Sequence, residues 1–510
     1  PICTDAGRSH YNCSRCNKYF LVVNSKTEPA LGHDTTEYHV AATCTHNGYM
    51  QPSCLRCKAT LKEVMLESEP ALGHDSTHFV HYDADCTNPG TMAYTCERCG
   101  TKWSKTIDNE PATGVHFYED GLCHGCLGSE NTLTIENDTA YIYSAGDLFA
   151  FMRYAKSYEH RNTNAKIMND ILVNSADSKT KPAENIPFGT GESGPNGKDY
   201  NYYNGLFDGQ GHEISGMRGG SLIKYANSSV IKNLGLEGVF SAPAFVENND
   251  GIIDNCHLKG KVYSYAGFCR SGSGLISNSY NQADIISLND GHDERLAAGI
   301  IAYGYGVIDR CWNEGSITGK NACGINAWAC GNTFNCYNIG KITGSHSASG
   351  IVYSSCECSL TQNCYNLGTL VSPNKAEILV DGCSPDDMQN CFYSVESVNP
   401  AMITKENIPD SNAVAMPLVS FENGEVFNLL NTYIPNHNHQ SAYQVTYKNF
   451  DWSFDSNVWY QTIGMEKYPR LDQNNGSLSG IHDAETNSLV TLVVNRQVIV
   501  IGVDSFRIFN

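Results

Sequence analysis

The sequence predicts a mainly β protein: a right-handed parallel β-helix solenoid that follows N-terminal zinc-ribbon-like repeats and precedes a small β-rich C-terminal domain. Three observations predict it: a Cys/His pattern that recurs in the first quarter, a second repeat through the middle, and alternating β-branched residues at the end. At roughly 150 residues per domain, a chain of 510 residues holds three or four domains. The predicted boundaries are 1–128 for the Cys/His repeats, 129–222 for the β-helix cap and first coil, 223–399 for the β-helix, 400–479 for its C-terminal cap and 480–510 for the tail.

The N-terminal quarter contains three units with the spacing C-x9-C-x2-C-x16-H. The twelve candidate metal ligands are Cys3, Cys13, Cys16, His33, Cys44, Cys54, Cys57, His74, Cys86, Cys96, Cys99 and His116. Zinc prefers four tetrahedral sulfur and nitrogen ligands, and a C-x2-C pair on a tight turn offers two of them. A unit of about 41 residues has almost no core of its own, so a structural zinc ion would supply folding energy. We therefore predict three structural Zn²⁺ ions, one in each unit.

The units also share C-T-x-x-G, which predicts turns with a positive φ at Gly7, Gly48 and Gly90. Disulfides are the alternative to zinc, but they leave the recurring His unexplained and must pair an odd number of thiols. Sites filled by four ligands argue against hydrolytic zinc, which needs an open position.

Cys123 and Cys126 follow the third unit without a new His. They form an incomplete fourth site, or a disulfide, or they indicate a ligand frame shifted by one unit, in which each His joins the Cys residues that follow it. The constant spacing from Cys to His favours the unshifted frame. Four other histidines are expected to be solvated, namely His39, His46, His78 and His81.

The sequence A-L-G-H-D at 30–34 and 71–75, together with C-T-x-x-G and C-x-R-C, resembles short Cys/His repeats of surface proteins from gut anaerobes. The resemblance covers the first quarter of the chain and implies a location at the cell surface.

A second repeat runs through residues 230–395 with intervals of 22 to 32 residues. Aligned, its units place one residue of each in a single file: Leu234, Cys256, Ser279, Cys311, Cys336, Cys364 and Cys391. Such intervals suit one coil of a parallel β-helix, whose stacked coils share one core. We expect this file to point inward, and a second strand to recur at 298–300, 323–325 and 349–351. Stacked coils are close enough for disulfides such as Cys336–Cys364 or Cys330–Cys356, although free packed thiols are the main expectation.

These repeats resemble the GLUG-type motif of bacterial adhesins and surface proteins. The lead-in, with a helix at 145–155, a strand at 165–173 and G-L-F-D-G-Q-G-H-E-I-S-G at 205–216, resembles the cap and first coil of that family. The resemblance implies a β-helix in an adhesin-like protein.

The tail predicts a helix at 422–433 and closing strands at 459–471 that cap the solenoid, followed by β-branched strands from residue 480 onward. The last segment resembles the start of the sorting domain of type IX secretion substrates, which implies secretion. Residues 490–503 either donate a strand to a neighbouring molecule or pack on their own domain.

Charge narrows the range of partners. The chain has 34 Lys and Arg against 54 Asp and Glu, and a net charge of −20 repels nucleic acid and anionic membrane surfaces. No apolar run approaches the roughly 18 residues of a membrane span, so we expect neither nucleic-acid binding nor membrane insertion. The expected partners are other copies of the chain, or a host or cell-surface protein or glycan.

Parallel β-helices also host enzymes, so a polysaccharide lyase or glycoside hydrolase is the alternative function. The candidate carboxylates are Asp254 and Asp309 at equivalent places in two coils, and the loop with Asp290, His292, Asp293 and Glu294. The positions equivalent to the Asp pair in other coils are expected to be Asn233, Asn278, Asn335 and Asn363, which favours hydrogen-bonded ladders over catalysis. We therefore assign no catalytic or cofactor-binding residue besides the zinc ligands. The sequence predicts a non-enzymatic secreted or cell-surface structural or adhesion protein, such as a bacterial filament or spacer subunit.

Overall fold

The structure is a computed structural model of the chain. It describes residues 2–16, 18–23, 26–57, 59, 61, 64–65, 69–176, 181–194, 199–287, 296–356, 359–373, 375–377, 380–381, 388–397, 413–435, 444–447, 450–471, 490–494, 497–502 and 505–509. The chain divides into two compact units, Pro1–Thr113 and Gly114–Asn510.

The first unit consists of three small antiparallel sheets, one for each Cys/His repeat. Its strands are β1 (Arg8–Asn12), β2 (Tyr19–Val23), β3 (Thr35–Val40), β4 (Tyr49–Cys54), β5 (Val64–Met65), β6 (Phe79–Tyr82), β7 (Thr91–Thr95) and β8 (Lys102–Thr106). The sheet orders are β1-β2, β3-β4-β5 and β6-β7-β8. In the second and third sheets the first strand follows the His of the preceding repeat, so each of these sheets joins two repeats.

The turn glycines of these repeats do not have the conformation that the sequence predicted. None of Gly7, Gly48 and Gly90 has a positive φ. Each N–H donates a 2.8 Å hydrogen bond to the carbonyl of a later Glu, and a side chain at Gly7 would collide with the carboxylate of Glu28. Close approach of the Glu side chain, rather than an unusual backbone angle, therefore explains the glycine.

The second unit begins with short strands and one helix. Its first elements are β9 (Tyr118–Glu119), β10 (Leu122–Cys123), β11 (Gly128–Ser129), β12 (Thr134–Glu136), β13 (Thr139–Ile142) and α1 (Ala145–Ala155). The helix has the predicted bounds. Ser144 accepts a hydrogen bond from the N–H of Asp147 at its N-terminus, and Leu148, Phe149 and Phe151 are buried in the solenoid core.

A parallel β-solenoid of about 9 turns follows, as the sequence predicted. Its strands in chain order are β14 (Asn164–Ile167), β15 (Ile171–Leu172), β16 (Leu206–Asp208), β17 (Glu213–Gly219), β18 (Ile223–Lys232), β19 (Gly235–Phe240), β20 (Val246–Asp254), β21 (His257–Val262), β22 (Cys269–Gly272), β23 (Leu275–Ser277), β24 (Tyr280–Asn281), β25 (Asp284–Ile286), β26 (Leu296–Ala298), β27 (Ile301–Gly304), β28 (Val307–Asp309), β29 (Trp312–Asn313), β30 (Ile317–Cys323), β31 (Asn326–Ala329), β32 (Asn332–Phe334), β33 (Tyr337–Asn338), β34 (Ile342–Ser349), β35 (Val352–Ser355), β36 (Thr361–Gln362), β37 (Tyr365–Asn366), β38 (Leu370–Val371), β39 (Lys375–Glu377), β40 (Val380–Asp381), β41 (Met388–Gln389) and β42 (Cys391–Ser394). They form two large sheets, in which each strand pairs in parallel with its counterpart one coil away.

The strand registers confirm the predicted interior file. Asp254 pairs with Ser277, Ser277 with Asp309, and Asp309 with Phe334, which stacks the residues two positions later in each coil. The seven aligned residues from Leu234 to Cys391 each expose 1% or less of their surface. The second strand predicted at 298–300, 323–325 and 349–351 is wrong in its bounds, because strands end at Ala298, Cys323 and Ser349 and the next ones begin at Ile301, Asn326 and Val352. The three end residues do stack, since Ala298 pairs with Cys323 and Cys323 with Ser349.

A corner of the coils carries a file of residues with positive φ. Its members are Asn233, Asn255, Asn278, Arg310, Asn335, Asn363 and Asn390, with φ between 49° and 57° for all except Asn335 at 48°. The amide of Asn363 donates to Asn335, and the amide of Asn390 donates to Asn363, each at 2.6 Å. The predicted asparagine ladder is therefore confirmed.

The alignment of Asp254 and Asp309 with these asparagines is wrong by one residue. The two carboxylates share a file with Ser277 instead, immediately before the corner. The periodic apolar residues align the coils with one another. They do not show which neighbouring residue in each coil adopts a positive φ.

The first C-terminal strand continues a solenoid sheet by pairing in parallel with β42, as the predicted cap requires, and the other C-terminal elements lie beside the solenoid. The C-terminal elements are β43 (Ala413–Met416), α2 (Leu418–Glu422), α3 (Glu425–Asn431), β44 (Gln444–Tyr447), β45 (Phe450–Ser453), β46 (Trp459–Tyr460) and β47 (Arg470–Leu471). They cover much of an aromatic ladder of rings stacked 4.6 to 5.6 Å apart, which comprises His257, Tyr280, Trp312, Tyr337 and Tyr365. The rings of Trp459 and Phe421 lie 5.5 and 5.6 Å from that of Tyr365.

The last strands are β48 (Val490–Val494), β49 (Gln497–Gly502) and β50 (Ser505–Phe509), which form an antiparallel sheet. Strands β48 and β49 of the predicted donor segment pair with each other, with Val490 opposite Ile501. The acidic loop from Asp290 to Glu294 lies outside the described residues. No helix in the described part of the chain is long and apolar enough to cross a membrane.

Candidate metal centres

Strand pairing places the ligands of the first centre. Strand β3 begins two residues after His33, and in its antiparallel pairing with β4 Thr35 lies opposite Cys54. Cys54 ends β4 and opens the turn that contains Cys57. The pairing therefore brings the His of one repeat to the C-x2-C turn of the next repeat.

Backbone hydrogen bonds bring in the remaining cysteine. The N–H of Leu31 donates to the carbonyl of Ile2, and the N–H of Gly32 donates to that of Cys3, both at 3.0 Å. Gly32 has a φ of +69°, which a residue with a side chain rarely adopts, and it turns the chain just before His33. The first Cys and the His of a repeat are thus held together as a pair.

The four ligand atoms of the first centre fit a tetrahedral metal ion. Cys3 Sγ lies 3.5 Å from Cys54 Sγ, and Cys57 Sγ lies 3.5 Å from His33 Nδ1. Two sulfurs that each bind zinc at about 2.3 Å are separated by about 3.7 Å, and a sulfur and an imidazole nitrogen by about 3.6 Å. All four atoms lie within 4.8 Å of one another.

The second centre repeats this geometry one period later. Cys44 Sγ lies 3.7 Å from Cys96 Sγ, and Cys99 Sγ lies 3.3 Å from His74 Nδ1. The N–H of Gly73 donates to the carbonyl of Cys44, and Gly73 has a φ of +71°. The two centres are thus built by the same local structure.

The structure corrects the predicted grouping of the ligands. Cys13 and Cys16 are not grouped with Cys3 and His33, and Cys54 and Cys57 are not grouped with Cys44 and His74. Each Cys and His pair instead combines with the C-x2-C pair of the following repeat. The shifted frame was therefore right to join each His to the following C-x2-C pair, but it misplaced the remaining Cys.

The third repeat continues the pattern. Cys96 and Cys99 belong to the second centre, so Cys86 is not grouped with them as predicted. Thirty residues separate Cys86 from His116, as they separate Cys3 from His33.

In the second unit, the ligand atoms of His116, Cys123 and Cys126 lie within 4.8 Å of one another. His116 Nδ1 is 3.4 Å from Cys126 Sγ, and neither Cys123 nor Cys126 is disulfide-bonded. Cys123 and Cys126 therefore act as the C-x2-C pair that follows the third His, rather than as a disulfide. The signal for this role was their position after the last His.

Hydrogen bonds prepare individual thiols for metal binding. The backbone N–H of Cys57, together with the side chain of His33, lowers the pKa of Cys54 to about 5. Burial raises the pKa of Cys96, but the N–H of Asp75 at 3.3 Å and the His74 ring outweigh it and lower that pKa to about 6. Since the thiolate is the metal ligand, these two sulfurs are ready to bind at neutral pH.

Sequence reasoning missed the arginine of C-x-R-C. Arg98 donates to the carbonyl of Gly73 at 2.9 Å, and Arg56 donates to that of Leu31 at 3.3 Å. Each arginine thus holds the turn that carries the His of the preceding repeat. Its recurrence between the two cysteines was the available signal.

The histidines expected to be solvated lie outside the groups of three Cys and one His. His39 pairs with Glu69 at 2.7 Å and His81 with Glu110 at 3.0 Å. These glutamates are the ones that contact the turn glycines, so the two pairs tie hairpins together at the surface.

The candidate catalytic carboxylates are held by hydrogen bonds. Asp309 accepts from Arg310 Nε at 2.9 Å, Asn335 Nδ2 at 2.7 Å and Trp452 Nε1 at 3.0 Å. Asp254 accepts from the Ser277 hydroxyl at 2.7 Å and from the Asn278 amide. These contacts suit carboxylates that join neighbouring coils.

No protein-family model matches the chain, and no curated protein is significantly similar to it. Among solved structures, an IgA1 protease is similar to 81% of this chain at 10% sequence identity, with a TM-score of 0.30. The chain spans 28% of the length of that protein.

Proposed function

We propose that the chain is a non-enzymatic structural protein of the bacterial cell exterior, in which zinc-linked repeats and a β-solenoid form a scaffold for adhesion or spacing. The observation that carries the proposal is the ligand set of the first unit, in which two successive repeats surround each metal position with four side chains. A hydrolytic zinc ion keeps one position for water, whereas a structural zinc ion is enclosed by four protein ligands. Metal in these centres therefore cross-links repeats.

Zinc is the metal that this chemistry favours. Three thiolates and one imidazole are soft and intermediate ligands, and a tetrahedral arrangement of them is typical of structural zinc. The spacing between sulfur and nitrogen atoms in both complete centres agrees with that geometry.

Two features support a location outside the cell. Cys330 and Cys356 form a disulfide between neighbouring coils, with their Cα atoms 4.8 Å apart, and disulfides persist in oxidising compartments. The resemblance of both repeats to those of bacterial surface proteins supports the same location.

Labelling of intact cells tests the location. The producing cells are treated with a biotin reagent that does not cross membranes, and the chain is then isolated and probed for biotin. We expect labelling on intact cells equal to that after lysis. Labelling only after lysis would contradict a surface or secreted protein.

An assay with polysaccharides tests the absence of catalysis. The purified chain is incubated with neutral and acidic polysaccharides, and retention and new reducing ends are both measured. We expect no new reducing ends with any of the polysaccharides. Polysaccharide cleavage that is lost in Asp309→Asn would instead establish a lyase or hydrolase.

A further inference from the structure

The first Cys/His repeat is built differently from the other two. Strands β4 and β7 each have a neighbour on both sides, whereas β1 has β2 as its one neighbouring strand within the described residues. In the second and third sheets the additional strand, β3 or β6, begins shortly after the His of the preceding repeat. The first sheet thus lacks the strand that a preceding repeat supplies elsewhere.

The C-x2-C pair of the first repeat differs in the same way. Cys13 and Cys16 correspond to Cys54 and Cys57 by their position in the repeat, yet within the described part of the chain they join no group of three ligands. Cys54 exposes 1% of its surface, whereas Cys13 is only half-buried. The two cysteines of a C-x2-C turn are therefore present, but among the described residues no Cys and His pair joins them to complete a metal site.

Among the described residues of the first unit, the Cys and His pairs of the two complete centres are already engaged. Its Cys and His pairs at Cys3 and His33, and at Cys44 and His74, are each taken by the following C-x2-C pair. Other copies of this chain have their pairs engaged in the same way. A Cys and His pair supplied by a further repeat would complete the site.

We propose that Cys13 and Cys16 are the receiving half of a further metal centre, and that β1 is the receiving edge for a strand, of another Cys/His repeat of this kind. The occupant must carry a Cys, a His thirty residues later, and an extended segment within a few residues of that His. Its Cys and His complete the tetrahedron, and its strand pairs with β1 as β3 pairs with β4. The inference rests on the proposed metal centres and extends them to a contact with a further repeat.

The geometry gives the register of this contact. In the pairing of β3 with β4, Thr35 lies opposite Cys54, two residues after His33. In the pairing of β6 with β7, Phe79 lies opposite Tyr94, which places the third residue after His74 level with Cys96. In the new pairing, the second or third residue after the incoming His therefore lies opposite Cys13. The incoming segment would both supply the His ligand and pair with β1. Strand pairing would therefore position the ligand, and metal binding would hold the strand in place.

A fused repeat tests the proposal on the full chain. A copy of residues 42–83 is placed directly before residue 1, with the copies of Cys54 and Cys57 changed to Ser so that it adds a Cys and His pair alone. The chain is loaded with zinc or cobalt(II), and bound metal is counted by mass spectrometry under native conditions and by the tetrahedral cobalt absorption. We expect one ion more per chain than without the fusion.

Matched variants make the result specific. Cys13→Ser with Cys16→Ser should remove the additional ion from the fused chain and leave the metal count of the unfused chain unchanged. Alkylation of Cys13 and Cys16 should become roughly tenfold slower, or more, in the metal-loaded fusion, because bound thiolates are protected.

The outcomes separate the two proposals. If the unfused chain binds no metal, the proposed metal centres are wrong. If it binds metal but the fusion adds no ion, or adds one that survives Cys13→Ser with Cys16→Ser, the receiving half-site is wrong. Complete protection of Cys13 and Cys16 from alkylation in the metal-loaded unfused chain would also contradict the receiving half-site.

Discussion

Asparagine at the corner of the coils combines two properties that other side chains do not. It tolerates a positive φ, and its amide both donates and accepts hydrogen bonds along the coil stack. The repeated asparagines made the ladder predictable from sequence. The conformation of Arg310, which occupies the same corner, was not predictable, because nothing in its side chain favours a positive φ.

The asparagine ladder predicts that different substitutions of Asn363 destabilise the chain to different extents. Asn363 is buried, and its side chain is hydrogen-bonded to Asn335 and Asn390. Asn363→Ala should lower the free energy of unfolding by about 3 kcal/mol, since two hydrogen bonds are lost and alanine is strained at a φ of 57°. Asn363→Gly should cost less, because glycine adopts this φ freely. Urea unfolding followed by tryptophan fluorescence measures both, and equal losses would show that backbone strain plays no part.

The lowered pKa of Cys54 predicts a titration in the metal-free chain. Its folded value of about 5 lies below the ordinary 9.0, so the thiolate stabilises the folded repeats fully above pH 9, and this contribution is lost as the pH falls through about 5. Ultraviolet thiolate absorbance should therefore rise between about pH 4 and 7. Cys54→Ser should reduce that rise, whereas Cys256→Ser should not, because burial raises the pKa of Cys256. A chain whose thiols all titrate above pH 8 would contradict this assignment.

At the scale of elements, strand pairing decides which ligands share an ion. The spacing of Cys and His in the sequence could not show which ligands share an ion. The repeats have nearly equal lengths, so grouping each His with the next repeat preserves most of the spacings. Two pairs distinguish the alternatives: Cys13 and Cys16 are left out of the first centre, and Cys123 and Cys126 follow the last His. The ligand types and most of the ligand residues were thus predictable, and the grouping was not.

The C-terminal elements stabilise the solenoid through the aromatic ladder. Trp459 is 5% exposed and its ring lies beside those of Tyr337 and Tyr365. Trp459→Ala should lower the free energy of unfolding by about 3 to 5 kcal/mol, because it leaves a cavity over the ladder. Tyr460→Ala is the matched control, since Tyr460 is half exposed, and it should cost less than about 1 kcal/mol. Similar losses for both variants would show that Trp459 does not cover the ladder.

At the scale of the molecule, the two compact units are stabilised by different means. The solenoid has a continuous core of stacked apolar files, whereas the first unit has small sheets joined at metal positions. The length of the coils and the periodic apolar residues made the solenoid predictable. The side-on packing of the C-terminal elements depends on contacts far apart in sequence, which periodicity does not report.

This difference predicts separate responses to a chelator. Removal of zinc should speed amide hydrogen exchange in β4 and β7, because structural zinc supplies much of the folding energy of such small repeats. Exchange in β18 and β20 should stay unchanged, since these strands lie in the solenoid. Equally slow exchange in β4 and β7 with and without zinc would contradict a structural role for the metal.

The central claim is that each ion is shared by two successive repeats, and a count of bound zinc in paired variants tests it most directly. Cys54→Ser with Cys57→Ser should lower the zinc content of the full chain by one ion, because these residues complete the centre with Cys3 and His33. Cys13→Ser with Cys16→Ser should leave the content unchanged. Loss of one ion from the second pair of substitutions would contradict the account and restore a site within each repeat.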